Sequence, residues 1–173
     1  MNKSELRKLI VEKRTGISSK QKLESKQRII EQIKEDEHFL KADFVGLYYP
    51  AHQEMDITEL IMLYPNKVFA YPKIVNDKIM YLQIDKNTEL KSSSFGVKEP
   101  IYGFDITSKL EVILVPALGM TQNNYRLGYG KGYFDKFFKV YPNAYKIGII
   151  YEGEEVTFEP TSFDVPLDSY FKG

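Results

Sequence analysis

Between Glu111 and Pro116 the chain reads EVILVP, an apolar run suited to a strand buried on both faces, and downstream, from Arg126 to Phe137, it reads RLGYGKGYFDKF. The second segment places an arginine, three glycines within five residues, a lysine and an aspartate ahead of a pattern that winds into a helix from about Gly132 to Phe138. A buried strand that hands over to a helix through a glycine-rich passage belongs to an α/β sheet. In such sheets the loops gather at the carboxyl ends of the strands, where a helix N-terminus offers free N–H groups to a phosphate. The expectation is therefore a phosphate-handling site. Residues alone equally allow an ordinary glycine-rich turn with a capping aspartate.

Periodicity extends this reading along the chain. Residues 3–13 look helical, with Leu6, Leu9 and Ile10 as the apolar stripe; at ~100° per residue, Lys3, Arg7 and Arg14 then fall within roughly 40° of one another. A second helix starts at Ser18, whose spacing to Gln21 matches a capping box, and is expected to run to about Phe39. Strands are expected at Phe44–Tyr49, Val68–Tyr71, Ile79–Ile84, 112–115 and Lys146–Tyr151, with a short helix capped by Asp56 and an acidic tail containing Pro160 and Pro166. Strands separated by helical patterns predict a single three-layer α/β/α domain spanning residues 1–173, with a mostly parallel central sheet. The stretch 72–110 has no crossover helix and is the place for antiparallel strands.

Composition narrows the function classes. The chain has 173 residues, 24 basic and 24 acidic side chains, no cysteine and two histidines. Disulfides, thiolate zinc sites and a cysteine nucleophile are thereby excluded, and a zero formal charge provides no whole-molecule attraction to nucleic acid or anionic membrane. No apolar stretch approaches a membrane span or a secretory leader, so a cytoplasmic location is expected. Charge is unevenly spread: residues 1–41 carry eleven Lys or Arg against seven acids, whereas 147–173 carry one Lys against six.

The glycine segment is neither a dinucleotide fingerprint nor a Walker A loop, because Lys131 is followed by Gly132 rather than Ser or Thr. It nonetheless carries what phosphate needs. Gly128, Gly130 and Gly132 permit positive φ and close backbone approach, Arg126 can fork onto phosphate oxygens, and Lys131 can neutralise developing charge. Asp135 is placed to hold Mg²⁺ through an oxygen or to cap its helix. Asp164 and Asp168 are further carboxylates in the tail, each equally suited to a turn or cap. Lys3, Arg7 and Arg14 as a basic face suit either phosphate or surface salt bridges.

Taken in order, several separated stretches resemble the 5-formyltetrahydrofolate cyclo-ligase (methenyltetrahydrofolate synthetase) family. Lys3-Ser-Glu-Leu-Arg7, with Arg14, resembles the family's amino-terminal helix that reaches the nucleotide phosphates; Glu54-Met-Asp56 resembles its Glu-apolar-Asp segment; FGVKEP, ending at Pro100, resembles its Glu-Pro segment. Val115-Pro116 followed by RLGYGKGYFD resembles its strand end and ATP loop. This chain has Ala117 where the family has Gly, Thr121 and Asn124 where it has Asp and Gly, Ile57 for a threonine and Phe134 for a second tyrosine.

The resemblance implies an enzyme that uses ATP to cyclise 5-formyltetrahydrofolate to 5,10-methenyltetrahydrofolate, releasing ADP and phosphate. It implies that Lys3, Arg7, Arg14, Arg126, Gly128, Tyr129, Gly130, Lys131 and Gly132 hold ATP, with Arg126 and Lys131 acting on the transferred phosphoryl group. Glu54 and Tyr133 would meet the folate, and Asp135 and Asp164 would hold Mg²⁺. The expected form is a monomer that binds two small molecules. Two rivals are an RNA-binding module built on residues 125–146, which carry five basic residues against one acid interleaved with aromatics, and a sugar-phosphate or acyl-transfer enzyme on a similar scaffold.

Overall fold

The computed structural model describes residues 1–173. Helices α1 (Lys3–Thr15), α2 (Ser19–Glu35) and α3 (Glu37–Lys41) precede strand β1 (Phe44–Gly46), after which α4 (Leu60–Leu63) leads into β2 (Val68–Val75) and β3 (Lys78–Ile84). Then come β4 (Leu90–Ser92), β5 (Lys98–Pro100), β6 (Val112–Pro116), β7 (Gly119–Met120), β8 (Arg126–Leu127), α5 (Tyr133–Val140), β9 (Tyr145–Ile150) and β10 (Ser169–Lys172).

Six strands form one sheet in the order β10-β9-β6-β1-β2-β3, parallel throughout except for the β2–β3 hairpin. The apolar run of β6 lies in its centre, as its composition requires. Val112 and Leu114 pack on one side with Ile29 and Ile33 of α2, Phe39 of α3 and Leu60 of α4; Ile113 and Val115 pack on the other with Phe137 and Phe138 of α5. Burying each of these large apolar side chains contributes about 1.5–3 kcal/mol relative to exposure, so the alternation along β6 joins three layers into one unit. No helix is long and apolar enough to cross a membrane.

Local chemistry sets the element ends. Ser18 and Gln21 form the expected capping box, and Asn2 and Glu5 form a second one that starts α1. The helical stretch expected to reach Phe39 instead breaks at Asp36, whose extended backbone ends α2 and whose carboxylate accepts the Phe39 N–H to start α3. β2 runs past Tyr71 into a hairpin because Asn76 and Asp77 both adopt positive φ, the backbone of a tight two-residue turn. The acidic tail holds a further strand. β10 pairs parallel with β9, and Asp168 just before it accepts the Lys146 backbone N–H, so this aspartate serves register.

The positions that depart from the family pattern are accommodated locally. Thr121 Oγ1 accepts the Tyr125 N–H, and Asn124 takes φ 66°, a left-handed conformation that asparagine tolerates better than most residues. A hydroxyl acceptor and a left-handed asparagine thus serve the turn in place of the aspartate and glycine of the resembled pattern.

Candidate active site

A cleft of about 450 Å³ opens beside the glycine loop, within the range of small-molecule sites. One part of its lining is cationic and glycine-rich: Lys3 and Arg7 from α1, Arg126 from β8, Lys131, and Gly128, Gly130 and Gly132. The same lining includes the apolar and aromatic side chains of Tyr49, Ile74, Ile79 and Phe95, and Glu54. Residues about 120 positions apart in sequence therefore share one cavity.

The two arginines in the cleft are held through Nε. Arg7 Nε donates to the Gly128 carbonyl at 2.6 Å, and Arg126 Nε donates to the Pro116 carbonyl at 2.7 Å. Each hydrogen bond fixes the guanidinium plane and leaves the terminal nitrogens for an anion. The Arg126 guanidinium also stacks 4.6 Å over the Phe134 ring, so the aromatic face at this position is used and a phenol oxygen is not required. Burial lowers the Arg126 pKa, opposed by Glu54 and Asp135.

Glycine is required twice for conformation, because Gly130 has φ 96° and Gly132 has φ 73° as the residue that opens α5. A Cβ at Gly130 would lie 3.4 Å from the Arg7 guanidinium, so arginine and loop backbone pack face to face. Tyr133, Phe134 and Asp135 begin α5 without a side-chain cap. Lys131 Nζ lies 5.3 Å over the Phe95 ring.

Asp135 and Asp164 both line the cleft, and the first does not cap its helix. Its Oδ1 accepts the N–H of Val165, the residue next to Asp164, at 2.9 Å. Asp164 Oδ2 accepts from Lys3 Nζ and from the Thr161 N–H, each at 2.8 Å. Burial works against the Asp164 charge, but these partners outweigh it and hold its pKa below the usual value. One oxygen on each aspartate is thereby committed to protein. No group of three or more metal-binding side chains occurs, but two carboxylates with a phosphate and waters are a sufficient donor set for Mg²⁺.

Glu54 projects from a turn in which His52 and Gln53 both adopt positive φ, at 49° and 67°. Consecutive left-handed non-glycine residues are strained, and here they lift a carboxylate into the cleft. Glu54 Oε1 accepts the Ala51 N–H at 2.8 Å. Burial pushes its pKa up to about 7, although the Ala51 N–H, Arg126 and Arg14 act in the opposite direction. Tyr133 also lines the cleft: its hydroxyl donates to Asp77 and its ring meets Phe95 edge-on at 6.1 Å. Tyr129 lies 5.5 Å from His52, and burial raises its pKa to about 12.

Arg14 does not join the other cations. Its side chain is 2% exposed and forks onto Glu154, donating from Nε and Nη2 at 2.8 Å each. Angle around a helix fixes the face but not the height: eleven residues at 1.5 Å rise carry Arg14 roughly 16 Å along the axis from Lys3, past the cleft. The sequence reading missed Glu154, Arg14's partner, along with His52 and Gln53. A buried acid in an acidic tail leaves no signature, whereas a polar pair before Glu54 is at least compatible with a turn.

The match to known proteins is broad. The 5-formyltetrahydrofolate cyclo-ligase family matches residues 1–171. The chain belongs to this family. It is 30% identical over 177 residues to a 5-formyltetrahydrofolate cyclo-ligase of Mycoplasma pneumoniae, an alignment covering 97% of this chain and 96% of the relative. It is 26% identical to that of Mycoplasma genitalium over the same shares. Among solved structures, the 5,10-methenyltetrahydrofolate synthetase of Aquifex aeolicus superposes with a TM-score of 0.87 at 29% identity, covering 99% of this chain and 90% of the other.

Proposed function

We infer that this cyclo-ligase family member converts 5-formyltetrahydrofolate to 5,10-methenyltetrahydrofolate at the expense of ATP, with the cleft holding both substrates at once. The observation that carries this reading is the single cavity, whose lining combines the arginines and glycines of the loop region with Glu54 and several aromatic side chains.

Lys3, Arg7, Arg126 and Lys131 receive the triphosphate, helped by the loop backbone and the open N-terminus of α5. Arg126 and Lys131 neutralise charge on the transferred phosphoryl group. Asp135 and Asp164 fit Mg²⁺ carried by the nucleotide, which would supply further charge neutralisation between its phosphates. The pterin lies by Glu54, with Tyr133 and Phe95 bordering it. The formyl oxygen on nitrogen 5 takes the terminal phosphoryl group and ADP leaves; nitrogen 10 then attacks the activated formyl carbon and loses its proton, and phosphate departs with the original formyl oxygen. The protein's work is alignment and charge, and no protein nucleophile is needed.

The working unit proposed is a monomer, and both substrates suit a cytoplasmic enzyme. The RNA-binding alternative is weakened, because two of its aromatics, Phe137 and Phe138, are core residues. Isotope transfer tests the chemistry: folinate carrying ¹⁸O in its formyl group should pass the label to inorganic phosphate. Release of the label as water, with unlabelled phosphate, would exclude this route.

A further inference from the structure

We propose that Arg14 and Glu154 form a positioning pair that fixes α1 along its axis, and so sets where Lys3 and Arg7 stand against the nucleotide phosphates. The inference rests on the phosphate role proposed above for those two cations.

The apolar face of α1 is a weak fixture. Only Leu6 and Ile10 are buried, in a small cluster with Leu118 and Leu127, while Leu9 and Val11 are 48% and 40% exposed. Such contacts resist lifting the helix but are tolerant of sliding and rotation, because apolar packing has little directionality. At the amino end, the Lys3–Asp164 and Arg7–Gly128 contacts involve groups that line the cleft, so an arriving nucleotide must compete with them. They respond to ligand and do not define the frame.

The carboxyl end of the helix is different. Besides the two bonds to Glu154, Arg14 Nη2 donates to the Ala117 carbonyl at 2.7 Å, at the turn beyond β6. Glu154 in turn accepts the Tyr151 N–H at 2.9 Å, just past β9, and its own carbonyl accepts the Met120 N–H of β7 at 3.2 Å. One guanidinium thus ties α1 to the exits of two central strands. Little slack is available behind it, because a Cβ on Gly119 would lie 2.9 Å from the Glu154 carbonyl oxygen. The side chains of the pair are 2% and 4% exposed, and neither lines the cleft. Because the helix is rigid, an axial shift at Arg14 is transmitted to Lys3 and Arg7, and misplacement of aligned groups by about 1 Å can reduce an enzyme's rate by roughly 10²-fold.

The experiment measures equilibrium binding of a non-hydrolysable ATP analogue with Mg²⁺, and separately of folinate, to Glu154→Asp and Glu154→Gln. The first keeps the charge but shortens the side chain by one methylene; the second keeps the length and removes the charge. Both variants should bind the analogue about tenfold more weakly, with the KM for ATP rising in parallel, a shift on the scale of one lost charge-assisted hydrogen bond. Folinate affinity should stay within about twofold of the parent in Glu154→Asp, which keeps the balance of charge felt by Glu54. If Arg14 instead turned to the phosphates itself, loosening Glu154 would leave analogue binding unchanged or tighter, and the proposal would be overturned. Equal weakening of both ligands in Glu154→Asp would also overturn it, as general loosening of the fold. Should Glu154→Gln fail to fold with its buried arginine uncompensated, Glu154→Asp, which keeps the charge balanced, decides alone. Lys3→Ala and Arg7→Ala are the controls: if these leave analogue binding intact, the phosphate reading itself fails, whatever the Glu154 variants do.

Discussion

Two turns border this cleft, and they hold their conformations at different expense. The Gly128–Gly132 loop reaches its positive φ angles at glycines, whereas the turn before Glu54 places His52 and Gln53 in the same region. The side chains differ in the same sense. Arg7 and Arg126 are each held by a carbonyl with their forks aimed for an anion, while Glu54 is held by one N–H in a site that disfavours its charge. The side proposed for phosphate is therefore built to be charged before ligand arrives, and the side proposed for folate holds a strained, reluctantly ionised group until a partner supplies donors.

The strongest way to break this contrast is to remove a fork. Arg126→Ala should lower kcat/KM for ATP by about 10²–10³-fold, the usual effect of losing one preorganised charge-stabilising donor. Arg126→Lys should recover little, because it loses both the carbonyl anchor geometry and the stack on Phe134; steady-state kinetics in both variants check this. Next in size is Glu54→Gln, which should reduce kcat/KM for folinate by roughly 10–100-fold with ATP affinity held, the scale of one hydrogen bond to a charged group. An unchanged folinate parameter would remove Glu54 from the site.

The same variant sharpens the electrostatic half of the comparison. Glu54 has a pKa near 4.5 when unfolded and about 7 in the fold, so between these values the folded protein holds a proton that the unfolded chain has released. Stability of the parent therefore falls as pH rises from 4.5 to 7 and does not fall further on this account above 7. Glu54→Gln lacks this loss. It should be more stable than the parent by ~2 kcal/mol at pH 8 and nearly equal to it at pH 4, read from thermal melts at both values. A constant difference across that window would show that Glu54 ionises normally.

The smallest effects concern the backbone alone and should have opposite signs. Gln53→Gly should stabilise the protein by up to about 1 kcal/mol, since glycine adopts positive φ without penalty. Gly132→Ala should destabilise it by about 1 kcal/mol, although no atom lies within 4 Å of the added methyl group, because the conformation itself is strained for alanine. Denaturant melts of the pair separate conformational strain from steric conflict.

These two turns also mark what the sequence made legible. The glycine loop was visible because only a few residue types suit its backbone, and the buried strand before it because an uninterrupted apolar run has few other homes. α1 was readable from its stripe, yet the stripe placed Arg14 beside Lys3 by angle and gave no sense of distance along the axis. His52 and Gln53 look ordinary as letters; their conformation is imposed by the surrounding tertiary contacts, including the Tyr151 hydroxyl bond to the Gln53 carbonyl. β10 was hidden for a similar reason. Its four residues become a strand by pairing with β9, a contact that no local pattern announces.

One assay bears most directly on the central claim that a single cleft couples ATP to folate cyclisation. Purified protein is mixed with folinate, ATP and Mg²⁺, and the near-ultraviolet absorbance of 5,10-methenyltetrahydrofolate is followed alongside ADP release. Both products should appear together, one ADP per methenyl group, and Lys131→Ala should suppress both. Binding of both ligands with no cyclised product, or ADP formation independent of folinate, would contradict it.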